Sequence, residues 1–269
     1  MDGQKARRLY LENATAMAYV EVENSDGTRE IGSAFHVGEG VFVTAKHVVE
    51  NEIREIKVSE PLPIRASEMF PEVPDEQIRE MEDEMEDVLG HVPFYKYWAD
   101  PVEIDEVPFF SDNPEVDLAI FSVKNIHHAV GEVKLGIHWD DWIHRGTWRL
   151  SEAIVLGYPP IPMTNKPHLV SARAEVHTHV TVRHSPHVHF ILSTTPRGGY
   201  SGGLAVHEGG FALGVITSSL VRDQKATELG FQAVLSIEPI RGLLRDYNLL
   251  PESQKEYRRE KLGLDSEEE

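Results

Sequence analysis

Apolar residues along this chain fall into short runs separated by Gly, Asn, Asp and Pro, a pattern that predicts strands joined by tight turns. Residues 1–13 are polar with scattered Leu and Tyr and predict a short helix. From Ala14, A-M-A-Y-V-E-V-E-N predicts a strand, N-S-D-G-T a turn and R-E-I-G-S-A-F-H-V a second strand. G-E-G is another turn, and V-F-V-T-A-K-H-V-V predicts a third strand, with His47 near its end. The texture then changes. Ile78, Met81, Met85 and Val88 recur at intervals of three and four, the apolar stripe of a helix, and Pro74 and Gly90 mark its ends. Strand texture returns at P-E-V-D-L-A-I-F-S-V, residues 114–123, with Asp117 at the head of the apolar run.

A connector follows whose three tryptophans, Trp139, Trp142 and Trp148, are expected to pack between two halves of the fold. A second β series begins at Ser151 with S-E-A-I-V-L-G-Y-P and L-V-S-A-R-A-E-V, and continues through a His-rich hairpin to G-F-A-L-G-V-I-T-S and G-F-Q-A-V-L-S-I. Ile237–Leu249 predicts a helix, and the tail ending D-S-E-E-E predicts disorder. Strands at this spacing, in two series, point to β-barrels or sandwiches.

Composition narrows the function. The 269 residues are 41% hydrophobic, enough for a real core, and carry 26 basic against 45 acidic residues, a net charge of −19. That balance argues against nucleic acid or an anionic membrane as partner, and suits a protein that attracts basic peptides. Ten of the acids lie between Glu68 and Asp87, opposed only by Arg79. The predicted helix therefore has an acidic face, read either as a solvated surface or as a gate, exosite or docking arm for a regulatory protein at 68–90. There is no cysteine, so no disulfide framework and no thiolate site. The N-terminus lacks an apolar segment, and no run approaches the ~18 residues of a membrane span. The expected location is the cytoplasm of a bacterium or similar cell.

Candidate chemistry centres on T-T-P-R-G-G-Y-S-G-G, residues 194–203, where four glycines surround Ser201 between two apolar runs. Glycines permit positive φ and close backbone approach. A serine on such a turn can be presented as a nucleophile while the turn's own N–H groups point at one spot, as acyl transfer requires. Taken alone, the stretch fits a glycine-rich hairpin turn equally well. His47 after a strand and Asp117 before one supply a base and an orienting acid in the chain order His, Asp, Ser, whereas Asp112 lacks the strand context.

These contexts together resemble the trypsin-like (chymotrypsin-fold) serine proteases, in texture the cysteine-free bacterial Deg/Htr-type members. The resemblance rests on G-S-A-F-H-V at 32–37, V-T-A-K-H-V-V at 43–49, V-D-L-A-I-F at 116–121 and L-G-Y-P at 156–159. It continues in G-G-Y-S-G-G-L-A-V at 198–206, L-G-V-I-T-S at 213–218 and G-F-Q-A-V at 230–234. It implies an all-β fold of two six-stranded antiparallel barrels with the active site in the cleft between them. The implied layout is an extension at 1–13, a first barrel at 14–125 with an acidic helical insertion at about 65–112, and the connector at 126–150. A second barrel at 151–236, a helix at 237–250 and a disordered acidic tail at 251–269 complete it.

By the same resemblance Ser201 is the nucleophile, His47 the general base and Asp117 its partner, with the backbone N–H groups of Gly199 and Ser201 as oxyanion hole. The walls of the pocket for the residue before the cleaved bond (P1) would be Thr195, Pro196, Arg197, Thr217, Ser218, Ser219 and Gly230. Thr195 stands where an acid would select basic side chains, so a small or medium uncharged residue is expected there. Asp223 or Glu228 could reverse that preference by reaching in. Tyr200 occupies the position of an Asp in digestive members, there is no I-V-G-G start, and no PDZ-like segment follows. Activation by N-terminal cleavage or a PDZ module is therefore not expected. No cofactor is expected. His177, His179, His187 and His189 alternate on two neighbouring strands, and with a suitable register the four could share a face and bind zinc; otherwise they line the surface or the cleft. The other functional readings of the same residues are a peptide-binding module without turnover, an esterase-like hydrolase, or an effector held inactive by a partner.

Overall fold

The computed structural model describes residues 1–58, 62–64, 66–89, 94–96, 101–124, 126–143, 148–182, 185–194, 198–217 and 232–262. The chain opens with α1 (Gly3–Asn13), whose N-terminus is capped by the Asp2 carboxylate accepting from the Lys5 N–H at 2.7 Å. Three strands follow as an antiparallel meander, β1 (Met17–Glu23), β2 (Arg29–Gly38) and β3 (Val41–Thr44). The predicted third strand stops at Thr44, and its K-H-V-V end forms the single-turn helix α2 (Lys46–Val49). β4 (Glu52–Lys57) returns to pair with β1.

The acidic insertion is a separate arm. β5 (Leu62–Ile64) and β6 (Phe94–Lys96) pair at its base and enclose α3 (Ala66–Met69) and α4 (Asp75–Leu89), the helix predicted from the apolar stripe. β7 (Glu103–Ile104) and β8 (Phe109–Phe110) then both pair with β9 (Ala119–Lys124). The strand order is β4-β1-β2-β3-β9-β7. A hydrogen bond from the Val102 N–H to the Ile56 carbonyl, 2.7 Å, brings the β7 edge back to β4, so the six strands form a nearly closed barrel. Beyond the connector helix α5 (Asp140–Ile143), six more strands close a second barrel. They are β10 (Glu152–Gly157), β11 (Val170–Thr181), β12 (Val188–Leu192), β13 (Leu204–His207), β14 (Ala212–Ile216) and β15 (Gln232–Ser236). The helices α6 (Ile237–Asp246) and α7 (Glu252–Leu262) follow.

Strand alternation builds three apolar clusters. Ala18, Val20 and Val22 of β1 point into the first barrel with Phe42, Phe121 and Ile56, while Val155, Phe190, Leu213 and Val234 fill the second. The other face of β1, Met17 and Tyr19, meets Leu156, Leu204 and Val215 in a third cluster that forms the seam between the barrels.

Two expectations are corrected. The tail is not disordered over 252–262. Its α7 is anchored by the buried side chain of Gln254, which donates to the carbonyls of Val37 (2.7 Å) and Val133 (2.9 Å) and accepts from the Leu135 N–H (3.1 Å). Charged composition hid this, because one amide placed on unpaired backbone groups does what an apolar stripe would otherwise do. Nor do the three tryptophans act together. Trp148 packs with Phe190 and Phe211 on the second barrel, and Trp139 lies against Trp142, which is 45% exposed. No described helix is long and apolar enough to cross a membrane.

Candidate active site

β3 and β9 are antiparallel, with Thr44 opposite Ala119. Running forward from Thr44 and backward from Ala119 leads to the same end of the sheet, so His47, on α2, meets Asp117, two residues before β9. Buried Val116 and Leu118 fix the carboxylate between them. The Asp117 Oδ1 and Oδ2 lie 2.9 and 2.8 Å from His47 Nδ1, and Oδ1 also accepts from the His47 backbone N–H at 3.1 Å. With Nδ1 donating to the carboxylate, Nε2 is the nitrogen left to act as base. Burial disfavours the imidazolium, but the hydrogen bond and charge of Asp117, helped by Glu50 and Glu30, outweigh it, so the His47 pKa lies above 6.5.

Ser201 sits on the turn between β12 and β13. Gly199 and Gly202 have φ of +83° and +78°, the left-handed region glycine tolerates. Close approach also demands these glycines. A Cβ on Gly202 would lie 2.0 Å from the Ser33 carbonyl oxygen, and one on Gly199 2.3 Å from the Tyr158 carbonyl oxygen. The turn is docked onto the first barrel through Ser33. Its hydroxyl donates to the Gly199 carbonyl at 2.6 Å and accepts from the Tyr158 N–H at 2.9 Å, and its N–H donates to the Ser201 carbonyl at 2.9 Å. The Thr44 hydroxyl in turn donates to the Ser33 carbonyl at 2.7 Å. The held carbonyl fixes the Gly199–Tyr200 peptide, which lies between the Gly199 and Ser201 N–H groups, and neither of those is bonded to another described residue. Tyr200 is 6% exposed and packs in the second barrel core, so apolar burial holds the turn where an ion pair would need a free N-terminus.

His47, Ser201, Gly198 and Gly199 line one cavity of about 420 Å³, closed on its other sides by Pro160, Val48, Val22 and the β2 residues Arg29 to Gly32. Histidine and serine face each other across it with no hydrogen bond between them among the described residues. Such bonds are often long in unliganded enzymes and tighten around substrate. Ser33 and Thr44 were missed as site residues by sequence reasoning. The available signal was a polar side chain inside each of two apolar strand runs, and both are fully buried.

Of the expected specificity wall, Thr217 is buried at the end of β14, where its N–H donates to the Ala233 carbonyl at 3.2 Å. Thr195, Pro196, Arg197, Ser218, Ser219 and Gly230 lie outside the described residues, as do Asp223 and Glu228. The four hairpin histidines do not share a face. His179 opposes Phe190 and His189 opposes Val180, so the two project from opposite sides, and the register shifts between Val176 and Thr178, at His177. His187 bonds Asp140 instead, at 3.2 Å, on a carboxylate that also accepts from the Ser236 hydroxyl and the Val188 N–H. Elsewhere, His127 and His128 stack at 4.4 Å and reach Glu68 of α3 at 3.7 and 3.2 Å, tying the acidic arm to the loop after β9. The Ala129 N–H donates to His127 Nδ1 at 3.1 Å, which leaves the neutral ring's proton on Nε2, facing Glu68.

No family model and no curated protein matches the sequence. Solved structures do. The chain is similar to the Rv3671c protease from M. tuberculosis in its active form, with 14% identity and a TM-score of 0.57, over 91% of this chain and 86% of that one. It is also similar to the HtrA-type protease AlgW solved with a tripeptide, with 13% identity and a TM-score of 0.55, over 93% of this chain and 64% of that one. At such identities the likeness shows the fold: two β-barrels arranged as in trypsin-like and HtrA-type serine proteases.

Proposed function

We propose that the protein is a serine endopeptidase that cuts peptide bonds through His47, Asp117 and Ser201 by way of an acyl-enzyme. The observation that carries this reading is the Asp117 carboxylate seated on His47 Nδ1 at 2.8 and 2.9 Å, facing Ser201 and Gly199 across one cavity. In this reading Ser201 Oγ attacks the carbonyl carbon while His47 Nε2 takes its proton. The oxyanion is stabilised by the Gly199 and Ser201 N–H groups, and the leaving nitrogen receives the proton from His47. Water repeats the sequence to release the acyl group. Asp117 keeps the tautomer and balances the imidazolium. The cysteine-free composition fits a reducing, cytosolic setting. The acidic arm remains the proposed docking point for a regulatory partner. None of its described residues lines the cavity, which favours control from outside the cleft over a plug within it.

A second reading, a peptide-binding module with little turnover, is favoured by the absence of a described hydrogen bond between His47 and Ser201. Fluorophosphonate labelling separates the two. Labelling of the wild type, lost in Ser201→Ala and strongly slowed in His47→Ala, is the expected result. A wild type that stays unlabelled, with and without cell extract, overturns the protease reading in favour of the binder.

A further inference from the structure

The cavity beside Ser201 has a wall that the proposed chemistry leaves unused. In the β1–β2 register Glu30 lies opposite Val22 and Arg29 opposite Glu23. Opposed residues share a face and successive ones alternate. Glu30, Val22 and Gly32 therefore face α2, and at Gly32 the fit is so close that an added Cβ would sit 2.4 Å from Val48 Cγ1. Arg29 turns the other way, where its guanidinium is held by Glu21 at 2.9 Å and Glu23 at 3.7 Å. Lys46, next to His47 in the chain, reaches Glu50 at 3.5 Å. Glu30 has no ion pair or side-chain hydrogen bond with any described residue, yet it lines the cavity. The cavity thus joins an apolar wall, Val22 and Val48, to a carboxylate that has no ion pair among the described residues. Because β3 pairs with β2 only from Ala34 onward, the second edge of residues 29–32 also has no strand partner among the described residues.

His47 must lie within hydrogen-bond reach of the leaving nitrogen. The chain beyond the cleaved bond therefore passes over the wall that His47 shares with Val48 and β2. We infer that this wall is a subsite for a lysine or arginine side chain one or two residues beyond the cleaved bond, with Glu30 as its selecting group. The aliphatic stem lies along Val22 and Val48 while the cation stays at the wet rim beside Glu30, the way long basic side chains settle on amphipathic surfaces. His47, whose pKa burial lowers and Asp117 raises, also feels Glu30, an independent sign that this charge reaches the reacting centre. The net charge of −19 draws basic segments toward the protein in the first place.

The inference rests on the proteolytic reading, and the test has two arms so that the two can fail separately. In the first, a peptide library varied on both sides of the cut is digested and the sites are mapped by mass spectrometry, with Ser201→Ala as blank. Wild type is expected to favour Lys or Arg over Gln at the first or second leaving-group position by about two- to fivefold in kcat/KM, the upper range of one partly exposed ion pair. In Glu30→Gln the ratio falls to near one, and in Glu30→Lys it inverts toward Glu and Asp. In the second arm, Ser201→Ala is titrated with fluorescent peptides differing only in Lys or Gln at that position, with and without Glu30→Gln. A Lys preference that requires Glu30 supports the subsite even if no cleavage is found, in which case only the protease reading falls. Cleavage with equal ratios in wild type and Glu30→Gln, or a basic preference confined to the acyl side, overturns the subsite and leaves the protease reading standing.

Discussion

His47 carries opposed demands that its surroundings resolve. Burial pushes its pKa down and Asp117 pushes it up, and Asp117 prevails. A general base works only when neutral, so kcat/KM is expected to rise with pH through a value above the ordinary 6.5 of imidazole. Replacing Asp117 by Asn removes both the charge and the correct tautomer. The acidic limb should then move to lower pH while kcat drops by about 10⁴-fold, the size such a loss has in triads of this kind. A pH profile of kcat/KM with a peptide substrate reads both; a limb that stays in place would mean that Asp117 does not set the base. The proposed site residues His47, Asp117 and Ser201 stood out in the sequence because each stands at a junction of strand and turn. Ser33 did not, because its partner lies across the molecule: it meets Gly199 166 positions along the chain.

The elements explain how the site keeps its shape. The Ser201 turn belongs to the second barrel, but its Gly199 carbonyl is held by the Ser33 hydroxyl of the first. Ser33 is a positioning residue that touches no substrate. Ser33→Ala frees the Gly199 peptide and leaves the Tyr158 N–H without its acceptor. The expected result is a kcat about tenfold lower, one hydrogen bond's worth, with KM changed by less than about twofold. Steady-state kinetics and the fluorophosphonate labelling rate check it, and a change confined to KM would contradict it. The strands themselves were largely legible from alternation. What alternation missed were local departures: the K-H-V-V segment that coils into α2 while reading as a strand, and the register shift at His177 that separates the histidines. Both depend on which neighbour a segment meets.

At the scale of the whole molecule, the two barrels are clasped crosswise. α1 packs on the second barrel, with Leu9 in the seam and Lys5 3.8 Å from Glu208, while α7 is pinned to the first barrel through Gln254. Replacing Gln254 by Ala leaves the Val37 and Val133 carbonyls and the Leu135 N–H buried without partners. The cost is expected to be about 2–4 kcal/mol, read as a lower urea midpoint. An unchanged midpoint would mean that α7 is held by other contacts. None of this could be read from a charged tail, because the binding groups are main-chain atoms of β2 and of the connector, far along the chain.

The crosswise clasp also has a consequence in time. A ribosome makes about 5–20 residues per second, so Ser201 emerges on the order of ten to thirty seconds after His47. During that interval His47 and Asp117 exist without Ser201, and the first barrel still lacks the helix that covers it. On the proteolytic reading, the capacity to cut can arise only after Ser201 and the second barrel that carries it have been made and folded. On that reading, a newly made copy would therefore spend most of its passage out of the ribosome harmless to itself and to the nascent chains around it.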